Sequence, residues 1–239
     1  MSTVLAIPDL HIPFHSKYAF DFIKWCLDKY QPDEVVLMGD ELDWHSISYH
    51  DHDPDGLNPG SEYAQALKCL NQLWAILPKT GKGCYSNHGS LPQRKMKTNG
   101  LPSQILKSYK QILNAPEGWN WSDAWEIDNV QYIHGQNIGL KTALYKAVDD
   151  HKMSTVFGHV HAYPGVQYRA TAAGKFFGMN TGCLVDRDQY AFSYSKLFAE
   201  RPVLGVGIVI DGKQAHFIPM GEEELEARMK TNLTIKGKK

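Results

Sequence analysis

Two short apolar runs near the start of the chain, residues 3–7 and 34–38, each stop abruptly at polar groups. The first ends in Pro8-Asp9-Leu10-His11 and the second in Gly39-Asp40. Between them Phe22, Ile23, Cys26, Leu27 and Tyr30 recur at the helical period, and Ser16 is placed to cap that helix. Strand, helix and strand in so short a span make a βαβ unit, whose strands must be parallel. Strands buried on both faces read as uninterrupted apolar runs, as these do. Groups that follow parallel strands gather at the carboxyl ends, so Asp9, His11 and Asp40 are expected on one rim.

The pattern continues with a helix predicted over 61–77, closed by Pro78, and a third strand over 83–86 that delivers Asn87-His88-Gly89. A helix over 101–113 is entered through Pro102 and Ser103. Beyond Trp119, Trp121 and Trp125 the texture turns to short strands. These cover 124–127, 130–133 ending in His134, and 155–157 ending in Gly158-His159-Val160-His161, then 176–185, 205–210 and 214–219. A βαβα first half and a strand-rich second half predict an α/β fold of two packed mixed β-sheets flanked by helices, a four-layer α/β/β/α sandwich. Residues 1–220 are expected to form one domain, followed over 221–239 by a helix and a basic tail.

Asp9, His11, Asp40, Asn87, His88, His134, His159 and His161 all follow apolar runs. One such histidine is more often a satisfied core group than a ligand, but five at successive strand ends are hard to explain that way. Crowded carboxylates and imidazoles repel one another and are costly to dehydrate, and a pair of divalent cations relieves both problems. Imidazole, carboxylate and amide oxygen without thiolate suit manganese, iron, zinc or cobalt better than a soft-ligand site, and the histidines argue against calcium or magnesium alone. Two divalent transition-metal ions are expected, manganese first, with iron, zinc, cobalt or nickel as the alternatives.

In order along the chain stand Asp9-Leu10-His11, Gly39-Asp40-Glu41-Leu42-Asp43, Asn87-His88, the isolated His134, and Gly158-His159-Val160-His161. At these residues the sequence resembles the calcineurin-like metallophosphoesterases over roughly residues 4–185, with Met179-Asn180-Thr181-Gly182-Cys183 similar to the strand that follows the last motif. Five ordered motifs are far more specific than any one of them. The resemblance implies that Asp9, His11 and His161 hold one metal, that Asn87, His134 and His159 hold the other, and that Asp40 bridges them. It implies an attacking water activated by both cations. His88 is then no ligand but faces the leaving-group oxygen, oriented by Asp43. Gly39 is expected to leave room for the metals.

Three positions, in two of the motifs, depart from the family pattern. Ser86 and Gly89 replace the glycine and the acid around Asn87-His88, and Trp44 stands where the protein-phosphatase branch carries an arginine. Losing the arginine and the acid together leaves no orphaned charge, and it weakens a reading as a Ser/Thr protein phosphatase.

Asp51 to Glu62 satisfies the written pattern of an EF-hand calcium loop, but Asn58 falls at the eighth position, where a working loop is apolar, and Pro59 follows it. A polar loop over the metal centre is the preferred reading, with His45 and His52 as candidate substrate contacts. The formal net charge of −1 conceals a segregation, since acids dominate 28–62 while 63–116 holds bases and no acid. Arg94 and Lys95, just after Asn87-His88, are candidate contacts to substrate phosphate. The tryptophans are read as structural in preference to base-stacking platforms. The four cysteines are scattered without a pair motif and are expected to be reduced and mostly buried. With no signal-peptide or membrane-span pattern at the start, a cytoplasmic location is expected.

Taken together, a phosphoesterase acting on a nucleotide or a nucleic-acid phosphoester is the first expectation. A DNA exo- or endonuclease and a hydrolase of cyclic nucleotides or other small diesters share the same metal centre. A metal-bound scaffold without catalysis is the alternative from a different class.

Overall fold

The first apolar run is a strand, and its alternation decides the layering of the whole molecule. In β1 (Thr3–Ile7), Leu5 and Ile7 face one side while Val4 and Ala6 face the other. Leu5 and Ile7 join a core with Phe22, Ile23 and Cys26 of α1 (Ala19–Tyr30) and with the strand β2 (Glu34–Leu37), which supplies Val35 and Leu37. Val4 and Ala6 join Val36 in a second core, together with Tyr132, Val156, Phe177 and Met179 of another sheet. The computed structural model describes residues 1–49, 55–139, 142–190 and 200–221. The candidate contact His52 and the predicted helix and tail after 221 lie outside them.

After β2 come α2 (Pro59–Ile76), β3 (Thr80–Cys84), α3 (Leu91–Thr98), α4 (Tyr109–Ile112), β4 (Gly118–Ser122), β5 (Ala124–Ile127) and β6 (Val130–Ile133). The chain continues through α5 (Ala143–His151), β7 (Ser154–Phe157), β8 (Gly165–Thr171), β9 (Gly174–Asn180), α6 (Arg187–Tyr190), β10 (Gly205–Ile210) and β11 (Gln214–Pro219). One mixed sheet has the order β11-β10-β1-β2-β3-β4 and the other β5-β6-β7-β9-β8. β1 and β2 are parallel, with Ile7 opposite Leu37, as the crossover requires. A third apolar group, Ile138, Phe157 and Val160 with Leu144 of α5, covers the outer face of the second sheet. The layers are therefore helix, sheet, sheet, helix. Among the described residues no helix is long and apolar enough to cross a membrane.

Several boundaries differ from the sequence expectation, each for a local reason. Ser16 is not the N-cap of α1: its Oγ accepts from Tyr18 N at 3.3 Å, ahead of the first turn, and the helix begins after Tyr18. α2 starts earlier than expected because Asn58 caps it, accepting from Ser61 N at 2.9 Å, and Pro59 fits the first helical position. The helix expected over 101–113 is instead a 3-10 turn at Ser103–Ile105 and the short α4. Ser108 and Gln111 form a reciprocal capping box there, which starts a new helix after an extended Leu106. The strand expected over 176–185 stops at Asn180, since Gly182 turns the chain with φ 70°. The third strand lies at 80–84 rather than 83–86, and α3, α5 and β8 are additions that the sequence reading did not contain.

Trp119, Trp121 and Trp125 are structural. Their indole N–H groups donate to Pro78 O, Glu41 Oε1 and Gly83 O at 2.9, 2.9 and 2.8 Å. All four cysteines are free thiols, and Cys26, Cys84 and Cys183 are buried.

Candidate metal centre

The ends of β1, β2, β6 and β7 bring six of the predicted residues into two groups, which a third group of His11, Asp40 and His88 links. In Asp9, His11 and His161, and again in Asp40, His134 and His159, the potential ligand atoms lie within 4.8 Å of one another. Backbone bonds from Leu10 N and His11 N to Asp40 O, at 3.1 and 2.8 Å, lock the β1 and β2 loops together. His11, Asp40 and His159 all adopt left-handed backbone, with φ of 48°, 47° and 65°. Each costs on the order of 1–2 kcal/mol for a residue with a side chain, so the surrounding contacts must hold them.

The donor set fits cations. Asp9 is fully buried; its Oδ2 accepts from His159 N and meets His161 Nε2, both at 2.9 Å, while Oδ1 has no hydrogen-bond partner. His134 Nδ1 faces Met38 O at 3.0 Å, and its Nε2 faces Asn87 Oδ1 at 2.6 Å and Asp40 Oδ2 at 3.3 Å. With Nδ1–H donating to the carbonyl, the Nε2 lone pair points at two further oxygens. That arrangement needs a positive charge between them, either a proton or a metal ion.

The protonation energetics of the metal-free cluster express the same need. Burial by itself would lower His134, but Asp40 and Asp9 outweigh it and raise the ring to about 9. His11 is raised to about 9 likewise, burial being overcome by Asp43, Asp40 and Asp9. For Asp40 burial acts upward, yet His134, His88 and His11 hold its carboxyl well below the ordinary range. Burial and the neighbouring His134 ring push His159 down to about 4, which keeps it neutral, as a ligand must be.

His88 and Asp43 are arranged differently from the expectation. Asp43 Oδ1 lies 2.6 Å from His11 Nδ1 but 3.6 Å from His88 Nδ1. His88 Nδ1 instead meets the main-chain oxygen of Asp43 at 2.5 Å, and its backbone N–H donates to Asp40 Oδ1 at 2.9 Å. The carboxylate serves the nearer ring, and the carbonyl of the same residue serves the other. Gly39 also has another reason than the one expected. A Cβ there would fall 2.6 Å from Ser86 Cβ and 2.8 Å from His134 Nδ1, so the glycine makes room for protein, at φ 104°.

The candidate substrate contacts are placed as follows. His45 is buried, edge-on to Phe14 at 6.5 Å, and its backbone N–H donates to Glu62. Arg94 donates to Asn87 O at 2.6 Å, and Lys95 reaches Ser48 O at 3.3 Å and lies over the Tyr49 ring. Both sit on α3 beside Asn87. The calcium-loop pattern loses its terminal ligand, because both Glu62 oxygens accept backbone N–H groups, of His45 and Ser46, at 2.9 Å.

Sequence reading missed a buried network that explains the departures at Ser86 and Gly89. Glu41 accepts from Trp121 Nε1 at 2.9 Å and from Tyr109 Oη at 2.8 Å. Tyr109 Oη lies 3.2 Å from Ser86 Oγ, which accepts from Asp40 N at 2.8 Å and from Gly89 N at 3.2 Å. A Cβ at Gly89 would stand 1.9 Å from Tyr109 Oη, so the tyrosine occupies the space that a side chain at 89 would need. Burial raises Glu41 to about 6 against the pull of its two hydrogen-bond donors. Asn180 is a second positioning residue: its amide donates to Val160 O and Tyr163 O at 2.7 and 2.8 Å and so fixes the loop that carries His159 and His161. Only the position of Glu41 beside Asp40 offered a local hint; Tyr109 and Asn180 are distant in sequence.

Fold and site together define an α/β protein of two mixed sheets flanked by helices, with buried His/Asp groups at its strand ends that could hold metal ions. No family model matches the sequence, and no curated protein matches it. Solved structures are similar over most of the chain. YfcE, a phosphoesterase from E. coli, aligns with TM-score 0.42 and 16% identity, covering 87% of this chain and 88% of its own. A metallophosphoesterase from Sphaerobacter thermophilus aligns with TM-score 0.46 and 12% identity, covering 97% and 93%. Vacuolar Protein Sorting 29 from Cryptosporidium parvum aligns with TM-score 0.42 and 16% identity, covering 92% and 98%.

Proposed function

We propose that this protein hydrolyses phosphate esters with two divalent transition-metal ions, manganese first among them, and that its substrate is a nucleotide or a nucleic-acid phosphoester. The observation that carries the reading is the pair of His/Asp groups that meet at His11 and Asp40, with His88 beside them. Asp9, His11 and His161 would hold one ion, Asn87, His134 and His159 the other, and Asp40 both. Bound there, the two ions would neutralise phosphate charge and lower the pKa of an attacking water.

The remaining work falls to the chain. Asp43 Oδ1 fixes His11 through Nδ1, and Met38 O fixes His134 in the same way, so each ring presents Nε2 to the centre. The Asp43 carbonyl holds the Nδ1–H tautomer of His88, leaving Nε2 to exchange a proton with the leaving-group oxygen. The His88 side chain is 15% exposed, open enough to meet a substrate, whereas His11 and His134 are closed at 2%. Arg94 and Lys95 place positive charge at the rim of Asn87.

Chelator-stripped protein given Mn²⁺ and then a chromogenic phosphomonoester and diester tests the reading. Metal-dependent turnover of either is expected. No turnover on both would leave a metal-bound scaffold, and degradation of plain DNA with nucleotides untouched would make it a nuclease.

A further inference from the structure

Beside the candidate metal centre a cavity of about 400 Å³ opens at the ends of β5 and β6, and His134 forms part of its wall. That volume lies in the range of small-molecule sites. Apart from His134, none of the residues lining it is basic, whereas Arg94 and Lys95 belong to α3 and do not border it. The cavity is thus unsuited to a second phosphate and suited to an uncharged group attached to one.

Its chemistry is that of a flat heterocycle's surroundings. Tyr85 at the rim is 42% exposed and braced edge-on by Tyr109, the ring centroids 5.2 Å apart at 80°, so one aromatic face is held open. Gln131, Gln136 and Asn137 contribute amides, each able to donate and accept, and Asp123 contributes an acceptor. Gln131 Oε1 is buried without a hydrogen-bond partner, an unsatisfied acceptor in the cavity wall. Ile133 and Ile138 make the wall apolar where the ring atoms of such a ligand would lie.

We propose that this cavity is a nucleobase subsite: the base stacks on Tyr85, its polar edge meets Gln131 and Asp123, and the attached phosphate is directed past His134 toward the metal centre. The last step rests on the phosphoesterase reading; binding of the base does not. A sugar would need hydrogen-bonding partners around its whole ring, which the isoleucine wall does not offer.

Equilibrium dialysis of the full chain, metal-stripped and then Mn²⁺-loaded, against a set of ribonucleosides and against ribose 5-phosphate tests the proposal. Saturable binding of at least one nucleoside to the metal-stripped protein is expected. Tyr85→Ala and Gln131→Leu should each weaken it about tenfold, with circular-dichroism melting to show that the variants fold. Tyr85 is exposed, so its variant serves if Gln131→Leu does not fold. Ribose 5-phosphate binding without any nucleoside, no saturable binding at all, or unchanged affinity in folded variants would overturn the subsite. Turnover of a chromogenic ester without nucleoside binding sinks the subsite alone. Nucleoside binding without any phosphoester turnover supports the subsite and sinks the phosphoesterase reading.

Discussion

Asp43 holds His11 with its carboxylate, at 2.6 Å, and His88 with its main-chain oxygen, at 2.5 Å. One residue thereby orients a candidate metal ligand and a candidate proton donor through two groups that mutation can separate.

Asp43→Ala removes the carboxylate and keeps the carbonyl. Metal affinity should fall by about 10–100-fold, the usual effect of losing a partner behind a ligating histidine. Metal content after dialysis against buffered Mn²⁺ measures it. Full metal content with lost turnover would place the action of the carboxylate on His88 instead.

His88→Ala should retain both ions and lose turnover by about 10²–10⁴-fold, the range for removing a positioned proton donor. Elemental analysis beside kinetics decides the matter. His88 lies in a group with His11 and Asp40 whose ligand atoms are within 4.8 Å, so retention of fewer than two ions would make it a ligand.

Tyr109→Phe deletes the hydroxyl between Glu41 and Ser86, leaving a buried carboxylate with one donor fewer. A loss of about 1–3 kcal/mol is expected, seen as a lower melting temperature. Gly89→Ala should cost a similar amount by overpacking, since its Cβ would meet the Tyr109 ring, itself hydrogen-bonded in place.

The pH dependence has a definite sign. In the metal-free protein His11 and His134 sit at about 9 against an ordinary 6.5, so their stabilisation is complete below 6.5 and is lost as pH rises through 9. Metal binding must displace those protons, so Mn²⁺ affinity should rise between pH 6.5 and 9, which calorimetric titrations at several pH values would show.

Glu41 at about 6 exceeds its ordinary 4.5, so it favours folding in acid and loses that contribution as pH rises through 6, a change on the order of 2 kcal/mol. Glu41→Gln should flatten that part of the urea-denaturation profile. An unchanged slope would assign it to other groups.

The strand-end residues were readable because two local rules coincide. An apolar run identifies a buried strand, and the next polar residue must emerge at its carboxyl end, which is how the sequence groups Asp9, Asp40, His134 and His159. Helix boundaries were less readable where short polar side chains compete: Ser16 looked like a cap but accepts from Tyr18 N before the helix starts, while Asn58 and Ser108 are the caps in use. The left-handed backbone of His11, Asp40 and His159 left no mark, since nothing but the surrounding packing imposes it.

The order of apolar runs and the residues that end them therefore determined the α/β sandwich and the membership of the His/Asp groups, because both depend on sequence-local periodicity. Which atom serves which partner was decided by tertiary structure alone. That Asp43 turns its carboxylate to His11, that Tyr109 fills the space at Gly89, and that Tyr85, Gln131 and Asp123 border one cavity beside His134 depend on segments far apart in the chain. Such contacts are fixed by close packing between layers, and packing has no periodic signature to read.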